Sequence, residues 1–189
     1  MNGFFHPEWE QNMKHAKLLF TLAVLLIAAP ALTAAGYTID SAGSSLTFVA
    51  PSRLGDVDGV FKKWKFEGTI DDRFKVKGKI VVDVASIDTN NRRRDDHLRN
   101  EDFFHVEKFP QAVFAIEGIE ADGDAYTVKG SLTMHGVTKP ISFELVREDL
   151  TLKGGVVINR MDFGITYQSA LNPIDEQIPL RIKLKLKKK

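Results

Sequence analysis

The sequence predicts an all-β protein, an antiparallel sandwich or closed barrel of about eight strands, and three observations carry that reading. Apolar and polar residues alternate along several separate stretches. Residues that favour turns sit between those stretches, as in "ADGDA", "HGVTKP" and "NP". Beyond residue 36 no segment shows the period of a long amphipathic helix.

The elements follow in order. Lys14, His15 and Lys17 precede the apolar run "LLFTLAVLLIAAPAL" and the small residues "TAAG". These are the basic, hydrophobic and cleavage regions of a secretory signal. The run is short of the roughly 20 residues of a membrane span, so a cleaved leader is expected over residues 1–35. Met13 is the expected start of translation, with residues 1–12 an N-terminal extension; Thr33 and Ala35 stand three before and one before the cut, and the working domain is 36–189. Leu46 and Phe48 indicate a first strand and Val57 to Phe61 a second. Apolar parity then switches to Trp64, Phe66 and Ile70, which a bulge at Lys62 and Lys63 explains. "FKVKGKIVVDV" places Phe74, Val76, Gly78, Ile80, Val82 and Val84 on one face, so Val82 is expected inward and Val81 outward. Phe114 and Ile116 mark another strand, as do Tyr126 to Met134, Ile141 to Leu145, and "LTLKGGVVI". The clearest alternation sets Ile178, Leu180, Ile182, Leu184 and Leu186 against Arg181, Lys183, Lys185 and Lys187.

Composition narrows the functions. The chain has 189 residues, a formal charge of +1 and no cysteine. Balanced charge gives no overall field for nucleic acid; the basic ending "RIKLKLKKK" is local. Without cysteine there is no disulfide, thiol nucleophile or thiolate metal site, so an exported domain of this size relies on its apolar core. No G-x-S-x-G elbow and no phosphate-binding glycine loop is present, and Gly78, Gly118, Gly130, Gly136, Gly154 and Gly155 read as isolated turn or bulge positions. No cofactor is expected.

One stretch breaks the alternation: "RDDHLRNEDFFHVEKFP" at 94–110. His97 and His105 stand among five carboxylates, but the i, i+4 spacing of a helical metal pair is absent. The residues favour a short helical segment in which Leu98, Phe103 and Phe104 cover one end or edge of the barrel while the charges cap, pair and face water. Neither a metal nor a catalytic role is expected here. His135, in "MHGVTKP", reads as a turn residue.

"VASIDTNNRRRDDHLRNEDFFHVEKFPQAVF" at 84–114, "GSLTMHGVTKPISFEL" at 130–145 and "INRMDFGI" at 158–165 together resemble the YceI-like family of periplasmic polyisoprenoid-binding proteins. The resemblance spans essentially all of 36–189. It implies a lipocalin-like, antiparallel eight-stranded barrel with a short helical insertion, closed at one end and holding an isoprenoid chain. The insertion corresponds to Arg94, Asp95, His97, Leu98, Asp102, Phe103 and Phe104. Where family members often carry a lysine-histidine pair before the first tight turn, this chain has "APSRLGDVDGVF", which leaves Arg53 as the candidate head-group contact.

The inward parity nominates Phe48, Phe61, Ile80, Val82, Phe114, Ile116, Leu132, Phe143, Ile158, Phe163, Ile182 and Leu184 as cavity-lining residues. The expected partner is an isoprenoid lipid, a quinone or polyprenyl phosphate, or another long apolar chain, in the periplasm or outside the cell; a homodimer is compatible with the resemblance. Three alternatives remain: a transmembrane barrel, which the terminal lysines disfavour; an enzyme acting on a bound lipid or amide, with His97 and Asp95 as its test; and a barrel whose core is filled.

Overall fold

A computed structural model describes residues 36–189, so the leader expected over 1–35 lies outside the described residues. Ten strands form one sheet: β1 (Gly36–Ala50), β2 (Val57–Phe61), β3 (Trp64–Asp71), β4 (Val76–Asp83), β5 (Ile87–Asp88), β6 (Gln111–Asp122), β7 (Ala125–Met134), β8 (Val137–Glu148), β9 (Thr151–Asn159) and β10 (Gln177–Lys188). The order is β10-β9-β8-β7-β6-β4-β3-β1-β2-β5, and pairing of β10 with β1 closes it. One helix, α1 (Arg92–Arg99), is inserted between β5 and β6.

The barrel has eight strand positions, because β2 and β3 are two halves of one. Both pair with β1 in the same register, Phe48 opposite Gly59 in one half and Tyr37 opposite Ile70 in the other. The break falls at Lys62 and Lys63, the positions marked by the parity switch. There the Lys62 N–H donates to the Ser86 carbonyl and the Lys63 N–H to Ser86 Oγ, so the backbone leaves β1 and is held by the segment after β4. From Thr38 to Leu46, β1 has no ladder partner on its β3 side, while its other edge stays paired with β10 through a bulge between Asp40 and Ser45.

The two ends of the barrel differ. At one, β3–β4, β6–β7 and β8–β9 are joined by short turns. Phe74, expected inside a strand, sits in the first of these turns at φ 58°, with the Asp71 carboxylate accepting from the N–H groups of Arg73 and Lys75. This displaced ring stacks on Tyr37 at 4.6 Å and approaches Tyr126 at 5.9 Å, with the Arg147 guanidinium 4.9 Å above it. Aromatic stacking and cation–π attraction thus plug this end. The other end collects the long connections 50–57, 84–110 and 159–177. His135 and Gly136, with φ 51° and 78°, form the two-residue turn between β7 and β8 there, the doubly positive geometry that suits a tight hairpin.

The core cluster joins Phe114, Val128, Leu132, Leu145, Ile158, Phe163 and Leu184 from β6 to β10. Val82 faces inward and Val81 outward as expected, but the outer face is not solvated there. Val81 points away from the interior but is only 5 % exposed, and Val49 beside inward Phe48 is 8 % exposed. Strand alternation tells which face a residue occupies, and says nothing of what later segments cover that face.

Candidate functional site

A cavity of about 260 Å³ lies inside the barrel, lined from Ile70 and Leu145 toward the plugged end to Phe104 and Ile174 toward the other. On β10 alone Ile178, Leu180, Ile182, Leu184 and Leu186 all face it. Eight residue steps on a tilted strand make this roughly 20 Å along the axis. The volume is small beside the roughly 300–1,000 Å³ of sites for drug-sized ligands. A space this long and this small is narrow, a shape that suits an extended chain.

The wall shows only apolar surface to this space, although Arg160 and Arg181 are among its residues. Arg160 explains how a cation can be there. It is 4 % exposed, and its guanidinium donates through Nε to the Asp175 carbonyl at 3.0 Å and through its terminal nitrogens to the carbonyls of Ile165 at 2.5 Å and Ile174 at 3.1 Å. Desolvation draws its pKa below the usual arginine range, partly offset by the charge of Glu176. The side chain therefore fastens the 165–175 loop and presents its stem to the cavity.

Three phenylalanines are positioned by glycines, a relation that composition does not reveal. A Cβ built on Gly59 falls 2.1 Å from the Phe48 ring, one on Gly130 falls 2.7 Å from the Phe114 ring, and one on Gly68 falls 2.9 Å from the Phe66 ring. The Phe48 and Phe114 rings reach these positions from an adjacent strand and the Phe66 ring from the same strand, and at Gly68 and Gly130 a Cβ would also meet the carbonyl oxygens of Lys77 at 2.1 Å and Ala115 at 2.2 Å. Gly59, Gly68 and Gly130 are thus strand residues that shape the cavity. The reading of Gly78, Gly130, Gly154 and Gly155 as turn or bulge positions is corrected, since all four lie within strands, whereas Gly136 and Gly118 do lie at a turn and a bulge.

Of the residues nominated from inward parity, Phe48, Phe61, Ile80, Val82, Phe114, Ile116, Leu132, Phe143, Ile158, Ile182 and Leu184 face the cavity. Phe163 does not. It belongs to a 3-10 turn, Arg160–Phe163, where strand parity has no meaning, and it is buried behind the wall at 2 % exposure with its carbonyl accepting from His135 Nδ1. Arg53 is exposed on the β1–β2 connection and is not part of the lining. Residues left out of the nomination also face the cavity, among them Ile39, Phe66, Leu152 and Val156.

The helical insertion works as architecture, with one departure from the expected solvated charges. Leu98, Phe103 and Phe104 line the cavity, and Phe104 meets Phe61 edge-on at 6.1 Å. Asn91 caps α1 by accepting from the Arg94 N–H. Asp95, however, is buried at 6 % exposure, accepting from the Thr89 N–H at 2.8 Å and Thr89 Oγ1 at 2.6 Å. Arg94 donates in turn to Thr89 Oγ1 and the Thr89 carbonyl, and Arg99 to the carbonyls of Ala85 and Ile87. These bonds fold the chain between β4 and α1 onto itself. His97 Nε2 donates to Asp102 at 3.0 Å and the ring packs edge-on against Phe103 and Tyr167, whereas His105 packs against Phe109. Among the described residues no group of three or more histidine and acidic side chains is arranged to hold a metal ion.

Known proteins share both sequence and fold with this chain. Residues 37–186 match the YceI-like domain. The YceI protein of Escherichia coli O157:H7 is 36 % identical over 137 residues, covering 70 % of this chain and 72 % of that protein. The crystal structure of the Campylobacter jejuni YceI protein matches with TM-score 0.59 at 29 % identity, over 70 % of this chain and 85 % of that one. Burkholderia cenocepacia BcnA matches with TM-score 0.70 at 23 % identity, over 79 % and 99 %. A polyisoprenoid-binding domain from Saccharophagus degradans, implicated in plant cell wall breakdown, matches with TM-score 0.59 at 17 % identity, over 80 % and 98 %. With its closed eight-strand barrel and a domain match over nearly all of the described residues, this chain belongs to the YceI-like family.

Proposed function

We propose that the protein is an exported lipid-binding protein that takes a long isoprenoid chain, such as the tail of a quinone or polyprenyl phosphate, into the barrel and carries or sequesters it. The observation that supports this reading is the narrow cavity with an entirely apolar wall. Burying a hydrocarbon chain gains about 25 cal/mol per Å² removed from water, so affinity needs no polar contact inside. Because the Arg160 and Arg181 charges are turned away from the space, a polar head group stays outside the wall and chain length and width become the selected properties. The Saccharophagus degradans domain, similar in fold, is named for polyisoprenoid binding. The basic and apolar leader followed by small residues supports export.

Mass spectrometry of the organic extract of protein purified from its native compartment tests the reading. A stoichiometric isoprenoid is expected; a protein free of lipid that also fails to take up polyprenol from detergent would contradict it. The reading involves no turnover, so unchanged ligand after prolonged incubation is the accompanying expectation.

A further inference from the structure

Two of the most exposed apolar side chains among the described residues, Leu54 at 78 % and Leu171 at 85 %, lie on different loops at the same end of the barrel. Single exposed leucines are ordinary, but these loops are joined. The Leu54 N–H donates to Asn172 Oδ1 at 2.9 Å and the Arg53 N–H to the Pro173 carbonyl at 3.3 Å; the Asp175 N–H donates to the Pro51 carbonyl at 2.9 Å, and Ser52 bridges to Ile174. Arg160 grips the second loop from beneath, through the carbonyls of Ile174 and Asp175. The result is one ridge whose inner residues, Ala50 and Ile174, line the cavity and whose outer residues, Leu54, Leu171 and Pro173, face water. Its exposed charges, Arg53 against Asp56, Asp175 and Glu176, do not favour an anionic surface.

We propose that this ridge docks on the surface of a phospholipid bilayer, with Leu54 and Leu171 entering the boundary between head groups and acyl chains, and that the ligand chain passes between bilayer and cavity at this end. The inference rests on the reading of the cavity as a site for a lipid chain. A long isoprenoid in free water exposes all of the apolar surface that both bilayer and barrel would bury, so a path through water is slow. An apolar ridge continuous with the cavity wall shortens that path. The opposite end, plugged by Phe74 and Arg147, offers none.

The test follows movement of a fluorescent polyprenol from phosphatidylcholine vesicles to the protein, comparing wild type, a Leu54→Ser/Leu171→Ser double variant and a Val146→Ser control. Val146 is 48 % exposed on β8, toward the plugged end. For the wild type and the control, the transfer rate is expected to rise with vesicle concentration. In the double variant it is expected to fall by about tenfold or more, while equilibrium binding of the same polyprenol from detergent and the melting temperature stay unchanged. Transfer by the double variant at the wild-type rate, or a wild-type rate independent of vesicle concentration, would overturn the proposal. So would a wild-type dimer in sedimentation that the double variant dissolves, since the ridge would then be a contact between copies. Should the protein bind no polyprenol from detergent, the cavity reading fails on its own; flotation of ligand-free protein with the vesicles, abolished in the double variant, still supports docking, and its absence still overturns it.

Discussion

Val81 and Val82 are adjacent and both substantially buried, yet only Val82 faces the cavity. Substitution of either by Gln is expected to destabilise the fold by roughly 1–3 kcal/mol, since the amide is desolvated on both faces of the strand. Only Val82→Gln is expected to reduce retained lipid. Urea titration and lipid extraction on the same samples separate the two effects. Asp95 offers a second residue-scale expectation: Asp95→Ala leaves the Thr89 N–H and hydroxyl without their buried acceptor and costs about 1–3 kcal/mol, with bound lipid changed only in step with the folded fraction. A loss of some chemical conversion in place of a loss of stability would instead revive an enzymatic role for this segment.

At the scale of elements, the bent strand made of β2 and β3 is the most irregular part of the wall. Along β3 one edge is paired with β4 while the other is unpaired toward β1 until Ile70. Native-state hydrogen exchange is therefore expected to alternate along β3, with amides directed at β4 protected and those directed at β1 exchanging sooner; uniform protection would show the seam to be closed in solution. Next to the bend, the Asp88 carboxyl is held below its ordinary value, first by its hydrogen bond to Lys62 and then by the Asn90 N–H. A depressed carboxylate contributes stability that is present above its unfolded pKa and lost as pH falls through the folded one. Unfolding midpoints measured from pH 6 down to pH 3 are thus expected to drop less steeply in Asp88→Asn than in wild type, and the difference is expected to shrink in high salt because the pair is exposed.

For the molecule as a whole, the central question is whether the interior is a space or a packed core. Phe114 lines the cavity, 5.4 Å from the Phe143 ring. Enlargement by Phe114→Trp is expected to occupy part of the space, shorten or exclude the retained chain, and leave the melting temperature nearly unchanged. A filled interior would answer the same change with a loss of about 1–3 kcal/mol. Lipid mass spectrometry and a thermal melt on one preparation decide between them.

Alternation alone determined much of this protein. With a period of two, Ile178 to Leu186 and Ile141 to Leu145 had to present one apolar face, and most residues nominated on that basis face the cavity. The motifs carried the family and the helical insertion. Other features depended on local turns that strand parity does not describe, or on segments far apart in sequence coming together. Val81 and Val49 are buried on an outer face that strand parity alone predicts to be solvated, and Asp95 is buried because Thr89 supplies its donors. Phe163 left the cavity because its backbone turns through a 3-10 helix. The joining of β2 and β3 into one barrel position required the register of β1, and the ridge of Leu54 and Leu171 exists only because hydrogen bonds tie two loops 118 positions apart. A local pattern fixes which way a side chain points from its own strand; what it meets there is set by long-range closure, which no short window of sequence contains.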